Sequence, residues 1–396
     1  MRSERFSVFV VFVLNGLIAG SWAPRMPALA DQIGAGPGML GLVLFGAPVG
    51  LAAAASFAGQ LCARFGARIM VLVSAVAAAG VLPLLALVRS PWQLGIVLIL
   101  LGASFGLFDV SNNVAAMVAI RHAERPLMPV FHAGFSFGAL GGSLLAAAAA
   151  GSRLALLPYF ALATAGALIV ISAVIRFVPR QETSPEDAAG DGPRTAVRRP
   201  ALWLLGLVAF CAAIAEGASY DWSAFFAVHE RGMSERAGAV MFSAFCLAMG
   251  VVRLTGERIQ HRFGPVRMLV GGSVLGGAGL LLAATVPAAG FTYAGYLLAG
   301  CGLAFGFPVV LDLAGAAGRR DDGTGGEREI GFVTTVSYTG FLLGPPLVGG
   351  LAQLANLSVA IGFTGIVGLL IGPLALASLA ARRREKAGMH EVGAAP

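Results

Sequence analysis

Apolar runs of about twenty residues, separated by short polar stretches rich in arginine, repeat along the chain from Phe6 to Ala381. In lipid such a run must be helical, because only a helix satisfies its own backbone N–H and C=O groups within one segment. Twelve runs are present. They centre near Gly16, Gly50, Ala78, Phe105, Gly141 and Ala167, then near Ile214, Phe245, Gly276, Ala304, Phe341 and Gly368. The longest polar interruption, RQETSPEDAAGDGPRTAVRRP, begins at Arg180, and its Pro, Gly and charge content predicts an irregular linker. It divides the runs six and six. The pattern therefore predicts an all-α membrane protein of twelve transmembrane helices: a six-helix bundle over 1–178, a linker over 179–199, a second six-helix bundle over 200–381 and a tail over 382–396.

Composition agrees: 57% of the 396 residues are hydrophobic and 12% charged, and the mean hydropathy is +0.83. A soluble domain is about one quarter charged. The net charge of +7 raises nucleic acid as a partner, but the basic residues interrupt apolar runs and form no continuous stripe. They read as topology instead. Of 27 basic residues, 21 fall in the connections on one side, among them Arg2, Arg64, Arg121, Arg198, Arg262, Arg320 and Arg383. Five, Arg25, Arg89, Arg153, Arg231 and Arg236, fall on the other, and Arg253 lies inside a run. By the positive-inside rule both termini and the linker are cytoplasmic. The opening run is long enough to span a bilayer, and Trp22, Pro24 and Arg25 make a poor approach to a signal-peptidase site, so it reads as a retained helix. Cys62, Cys211, Cys246 and Cys301 lie far apart without metal-ligand spacing and read as packing residues.

The two sets of runs echo each other. Trp22 and Trp222 are 200 residues apart, as are Phe105-Gly106 and Phe305-Gly306, while Arg64-Phe65-Gly66 recurs as Arg262-Phe263-Gly264 at a separation of 198. A shared order at a nearly constant offset is what a parallel repeat of six helices leaves.

Six plus six helices, a cytoplasmic linker and the turn Gly59–Arg68 together resemble the major facilitator superfamily over essentially the whole chain. The turn is similar to that family's G-x-x-x-D-R-x-G-R pattern, but the usual Asp position is Ala63, with His261 at the repeated position, so the charge lock attributed to that Asp does not carry over. SWAPRMP at 21–27, FDVSNN at 108–113, RPLMPVFHAGFSFGALGG at 125–142 and EGASYDWSA at 216–224 resemble a bacterial branch near the fucose:proton symporters, which includes a rhizopine-associated membrane protein. The resemblance implies a monomeric secondary carrier of the bacterial inner membrane with a small polar or sugar-like solute, and it places runs four and seven around a central cavity.

Ionisable side chains within a span are expensive unless paired or wetted, so they are the first functional candidates. Asp109, Asn112 and Asn113 share one helix face, which Gly102 and Gly106 continue. They read either as cavity-lining or as a polar helix end. Glu216, with Ser219, Tyr220 and Ser223 on neighbouring turns, forms the clearest polar stripe of the second set; the alternative is a structural carboxylate fixed by Arg25 or Arg253. Asp221 meets either the cavity or interfacial water. Proton coupling needs a carboxylate that alternates between charged and neutral forms, and Asp109 and Glu216 are the candidates. His132 and Ser136, one turn apart, could face the helix-four carboxamides or serve as structural hydrogen-bond partners. Arg253 and Asp312 lie at similar depth and could form a clasp or a gate. Trp22 and Trp222 read as interfacial anchors or outer-vestibule contacts. Tyr338 offers an aromatic face and a hydroxyl to a solute, or packs in the core. Pro24 and Pro27 should bend helix one, and Gly344-Pro345-Pro346 helix eleven.

The chain contains no GxxxxGK[ST] phosphate loop and no HExxH pair, and its two GxSxG matches, at 102–106 and 134–138, lie inside apolar runs and not at a strand-to-helix turn, so neither nucleotide hydrolysis nor a known enzymatic arrangement is indicated, and no cofactor is expected. Proton-driven efflux of drugs or secondary metabolites is the first rival to solute uptake. A transport-inactive membrane sensor on the same fold is the second. The arginines at 382–384 read as a stop signal and anionic-lipid contact.

Overall fold

A computed structural model describes residues 2–123, 127–180, 199–318 and 326–393. The linker expectation falls mainly on residues 181–198, outside those described. The helices are α1 (Arg2–Trp22), α2 (Met26–Ile33), α3 (Pro37–Leu44), α4 (Gly46–Phe65), α5 (Ala67–Leu87), α6 (Pro91–Ala123), α7 (Met128–Gly151) and α8 (Leu156–Val174). After the linker come α9 (Pro200–His229), α10 (Glu235–Phe263), α11 (Pro265–Thr285), α12 (Ala289–Leu303), α13 (Gly306–Gly318), α14 (Glu327–Leu354) and α15 (Leu357–Gly393). Among the described residues, eleven helical stretches are long and apolar enough to cross a membrane, and α14, at 28 residues, packs within the same bundle.

Both groups of helices use one packing scheme. In the first, α1 packs on α7, α4 on α6 and α5 on α8; in the second, α9 packs on α14, α10 on α12 and α11 on α15. The groups meet through α7 on α10 and α14 on α3. Glycines permit the close approaches. A Cβ at Gly16 or Gly20 of α1 would fall on the α7 backbone at Phe135 or Ala139, and one at Gly138 or Gly142 of α7 would fall on α1 at Val13 or Leu17. Gly102 and Gly106 likewise lie against the α4 backbone at Ala47 and Leu51, so they serve packing and do not extend the Asp109 face into a cavity. The repeated turn is also visible in the backbone: Gly66 (φ 83°, ψ 146°) and Gly264 (φ 77°, ψ 159°) occupy the same positive-φ conformation between α4 and α5 and between α10 and α11.

Prolines explain most irregularities. A proline cannot donate to the carbonyl four residues earlier. Pro48 frees the Leu44 carbonyl at the α3/α4 break, and Pro308 frees that of Ala304 at the α12/α13 break. Pro24 lies in a single 3₁₀ turn, Ala23–Arg25, that joins α1 to α2 as a bent pair. Pro83 causes no break, because Thr164 Oγ1 of α8 donates to the freed Ala79 carbonyl at 2.6 Å. At Gly344-Pro345-Pro346 the helix does not end: α14 runs through both prolines, packed against α9 and α3. Beyond the apolar run, α15 continues through Arg382–Arg384 to Gly393.

Candidate functional site

The end of the bundle that carries Arg199 and Val178 is tied together within each group. Arg68 Nε donates to the Val178 carbonyl at 2.6 Å, and Arg199 Nε meets Glu385 at 3.3 Å. The opposite end joins the two groups to each other. His229 Nε2 meets Asp31 Oδ1 at 2.9 Å, Arg25 Nη1 meets Glu235 Oε2 at 3.1 Å and the Gly38 N–H donates to Gln353 Oε1 at 3.3 Å. Deeper in, the hydroxyls of Ser143 (α7) and Ser243 (α10) are 2.7 Å apart. The seam is thus fastened at the end far from the linker.

Below that fastening lies an ion pair within the second group. Arg253 Nη2 of α10 donates to Glu216 Oε1 of α9 at 2.9 Å, with the two side chains 23% and 18% exposed, so both keep access to open space. Arg253 Nε also donates to the Ala304 carbonyl at 3.4 Å, the one that Pro308 leaves without its helical donor. One guanidinium therefore serves a kinked helix and a carboxylate at once. This corrects the expected Arg253–Asp312 pair: Arg253 is committed to Glu216, and the exposed Asp312 accepts instead from Gln260 Nε2 at 3.4 Å. Depth along two helices does not determine which faces meet.

His132 and Ser136 approach this pair from across the seam. The exposed His132 ring lies edge-on to Phe12 at 5.4 Å and within electrostatic reach of Arg253; the Ser136 Cβ lies 3.2 Å from where a Cβ on Gly250 of α10 would stand. Ser136 thus meets the second group, and among the described residues no hydrogen bond joins either side chain to the α6 carboxamides. Tyr220, one turn beyond Glu216, stands edge-on to Phe242 at 4.6 Å, and its buried hydroxyl has no hydrogen-bond partner among the described residues. Asp221 lies beside Tyr220. A second approach joins α6 to α14: Asp109, exposed at its surface yet deep within the bundle, is within electrostatic reach of the half-exposed Tyr338. Asn113 Nδ2 donates to the Asp109 carbonyl at 2.8 Å. Asn112 is fully buried, and neither its amide oxygen nor its nitrogen has a partner among the described residues.

Trp22 and Trp222 are both buried, the latter edge-on to Phe225 at 5.8 Å, which removes them from the exposed interface expected of anchors. The far-end contacts of Arg25, Glu235, Asp31 and His229 were not anticipated as a set. Their signal was charge at the outer ends of runs one, seven and eight, which does not specify partners across the seam. Cys62, Cys211, Cys246 and Cys301 are unbridged. The described residues contain no group of His, Cys, Asp and Glu arranged to hold a metal ion.

The model of the Major Facilitator Superfamily matches residues 8–324. The chain belongs to that superfamily. It is 30% identical to an uncharacterized MFS-type transporter of Yersinia pestis over 95% of this chain and 96% of that one. It is 26% identical to the membrane protein MosC of Rhizobium meliloti, over 91% of this chain and 86% of that one. Among solved structures, the nucleoside transporter NupG superposes with a TM-score of 0.70 at 14% identity, covering 96% of this chain and 98% of that chain, which shows the fold. The chain is accordingly an MFS secondary transporter, a membrane protein built to move a small solute across the bilayer.

Proposed function

We propose that this transporter carries a small polar solute, sugar-like or nucleoside-like in its hydroxyl content, by proton-coupled alternating access in the bacterial inner membrane. In this reading twelve helices form two six-helix repeats, both termini are cytoplasmic, and a monomer is the working unit. The carrying observation is the Glu216–Arg253 pair: a partly open intramembrane carboxylate beside the seam, with a polar histidine and serine opposite. Protonating Glu216 would release Arg253 to a solute, and the solute's departure would let the pair re-form with loss of the proton. Asp109 and Tyr338, on facing sides of the seam, would supply further polar groups to the solute, as would Tyr220 and Asn112.

With Arg199 at the cytoplasmic end, the fastened end is external and the conformation faces inward. The polar solute is supported by the distribution of carboxylate, guanidinium, imidazole, amide and phenol groups, and by the NupG name of a fold neighbour. Efflux of an apolar drug would be served by a cavity with fewer committed charges. Thermal-shift screening of the purified protein against sugars, inositols, amino sugars, nucleosides and drugs selects the solute, because a ligand of the folded state raises its stability. Right-side-out vesicles with an imposed inward proton gradient should then accumulate the selected solute, with accumulation collapsing on addition of a protonophore. Uptake that only equilibrates, whatever the gradient, would sink proton coupling.

A further inference from the structure

At the fastened end, the seam opens into a cavity of about 560 Å³ whose wall combines both groups of helices. The first group contributes Arg25, Arg153 and the start of α8; the second contributes Glu235, Arg236 and the start of α10. Three guanidinium groups thus face one carboxylate. Arg25 is 4% exposed, and its partners leave it incompletely satisfied. Nη2 donates to the Leu154 carbonyl at 3.4 Å and the Tyr159 ring centroid lies 5.7 Å from its guanidinium carbon; Nη1 is ion-paired with Glu235 at 3.1 Å without hydrogen-bond geometry, and buried Nε has no hydrogen-bond partner among the described residues.

Backbone electrostatics point the same way. The α8 helix of 19 residues begins at the cavity after Ala155, which has no side-chain oxygen to cap it. The 29-residue α10 begins there too, and its Ser234 cap accepts only from the Ala237 N–H. Two helix N-termini add positive potential to the arginine surplus. Arg153 sits on the rim with φ 55°, a left-handed backbone rare for a residue other than glycine.

We propose that this cavity is an oxyanion-binding site, in which Arg153 and Arg236 clamp a phosphate or carboxylate group above the buried Arg25. Guanidinium forks match such groups bidentately, and the paired Glu235 leaves the surplus positive charge intact. Because Arg153 and Arg236 come from different groups of helices, the bound anion bridges the seam and holds the fastened end closed. The oxyanion could be a free ion or the phosphate of a lipid headgroup.

The test uses full-length protein and keeps Arg25 unchanged, since loss of its buried charge could prevent folding. Thermal unfolding in detergent is followed against inorganic phosphate, with sodium chloride balancing ionic strength, and in nanodiscs of phosphatidylglycerol or phosphatidylcholine. Wild type should show a saturable rise in midpoint, and Arg153→Gln/Arg236→Gln should weaken the apparent affinity at least ~10-fold, the scale of losing one bidentate contact. Arg153→Lys/Arg236→Lys should retain part of the response. A response to phosphate identifies a free-ion site; a response confined to phosphatidylglycerol identifies the headgroup. General salt exclusion stabilises wild type and variant alike. Equal responses in both proteins, or none to either probe, overturn the proposal.

Discussion

At the residue scale, the contact between Glu216 and Arg253 decides how the transporter is read. An arginine held by both a carboxylate and a proline-freed carbonyl is positioned rigidly, yet its partner remains partly open to solvent. Removing one member leaves the other's charge without compensation. The cost is about 1–3 kcal/mol, below the value for a fully buried pair, because both side chains retain some exposure. Glu216→Gln should therefore lower the unfolding temperature modestly and abolish gradient-driven accumulation while leaving solute exchange largely intact, and Asp109→Asn should separate the two activities in the same way. The Glu216→Gln/Arg253→Gln double variant should recover the stability but not the accumulation, which a thermal-unfolding series and paired exchange and accumulation assays will resolve. Losses that add in the double variant would mean that the pair contributes nothing as a pair.

The composition of this site was legible in the sequence, since carboxylates and arginines stand out in apolar spans. Its pairing was legible only in part: Arg253 was one of two arginines open to Glu216, while Asp312 was a competing partner for it. Asp312 and Arg253 share a depth, but Pro308 bends the helix between them and presents Ala304, and not Asp312, to the guanidinium. Pro308 was present in the sequence as a signal for that break, one turn after it.

At the element scale, the positions of the long helices followed from apolar run length, because a lipid-exposed segment can satisfy its own backbone only as a helix. Helix continuity did not follow from proline content. Pro83 is tolerated because Thr164 of another helix replaces the missing donor, a tertiary fact invisible to local pattern. Glycine carries a similar ambiguity: Gly138 and Gly141 are three residues apart on α7, yet a Cβ at Gly138 would meet the α1 backbone at Val13, whereas one at Gly141 would meet nothing within 4 Å. Gly138→Val should thus separate α1 from α7 and cost at least ~3 kcal/mol, the upper range for overpacking, seen as lost monodisperse yield in size-exclusion chromatography. Gly141→Val should elute and melt like the parent protein. Equal behaviour of the two variants would show that close α1–α7 packing does not hold this part of the bundle together.

At the scale of the whole molecule, the repeated Arg-Phe-Gly turns and the shared packing scheme relate the two groups of helices, and the far-end contacts fasten them across a seam. Alternating access requires that fastening to open in every cycle. Gly38 and Gln353 test this because they join the groups at the surface: an ideal Cβ on Gly38 lies 3.1 Å from the Gln353 Cβ, so a shift of about half an ångström brings the pair to disulfide spacing. The decisive measurement is uptake of the screened solute by vesicles containing Gly38→Cys/Gln353→Cys, before oxidation, after oxidation and after reduction. The account predicts uptake when the thiols are reduced, its loss when the disulfide forms and its return on reduction, with neither single-cysteine variant responding. Undiminished uptake by the fully crosslinked protein would contradict alternating access across this seam.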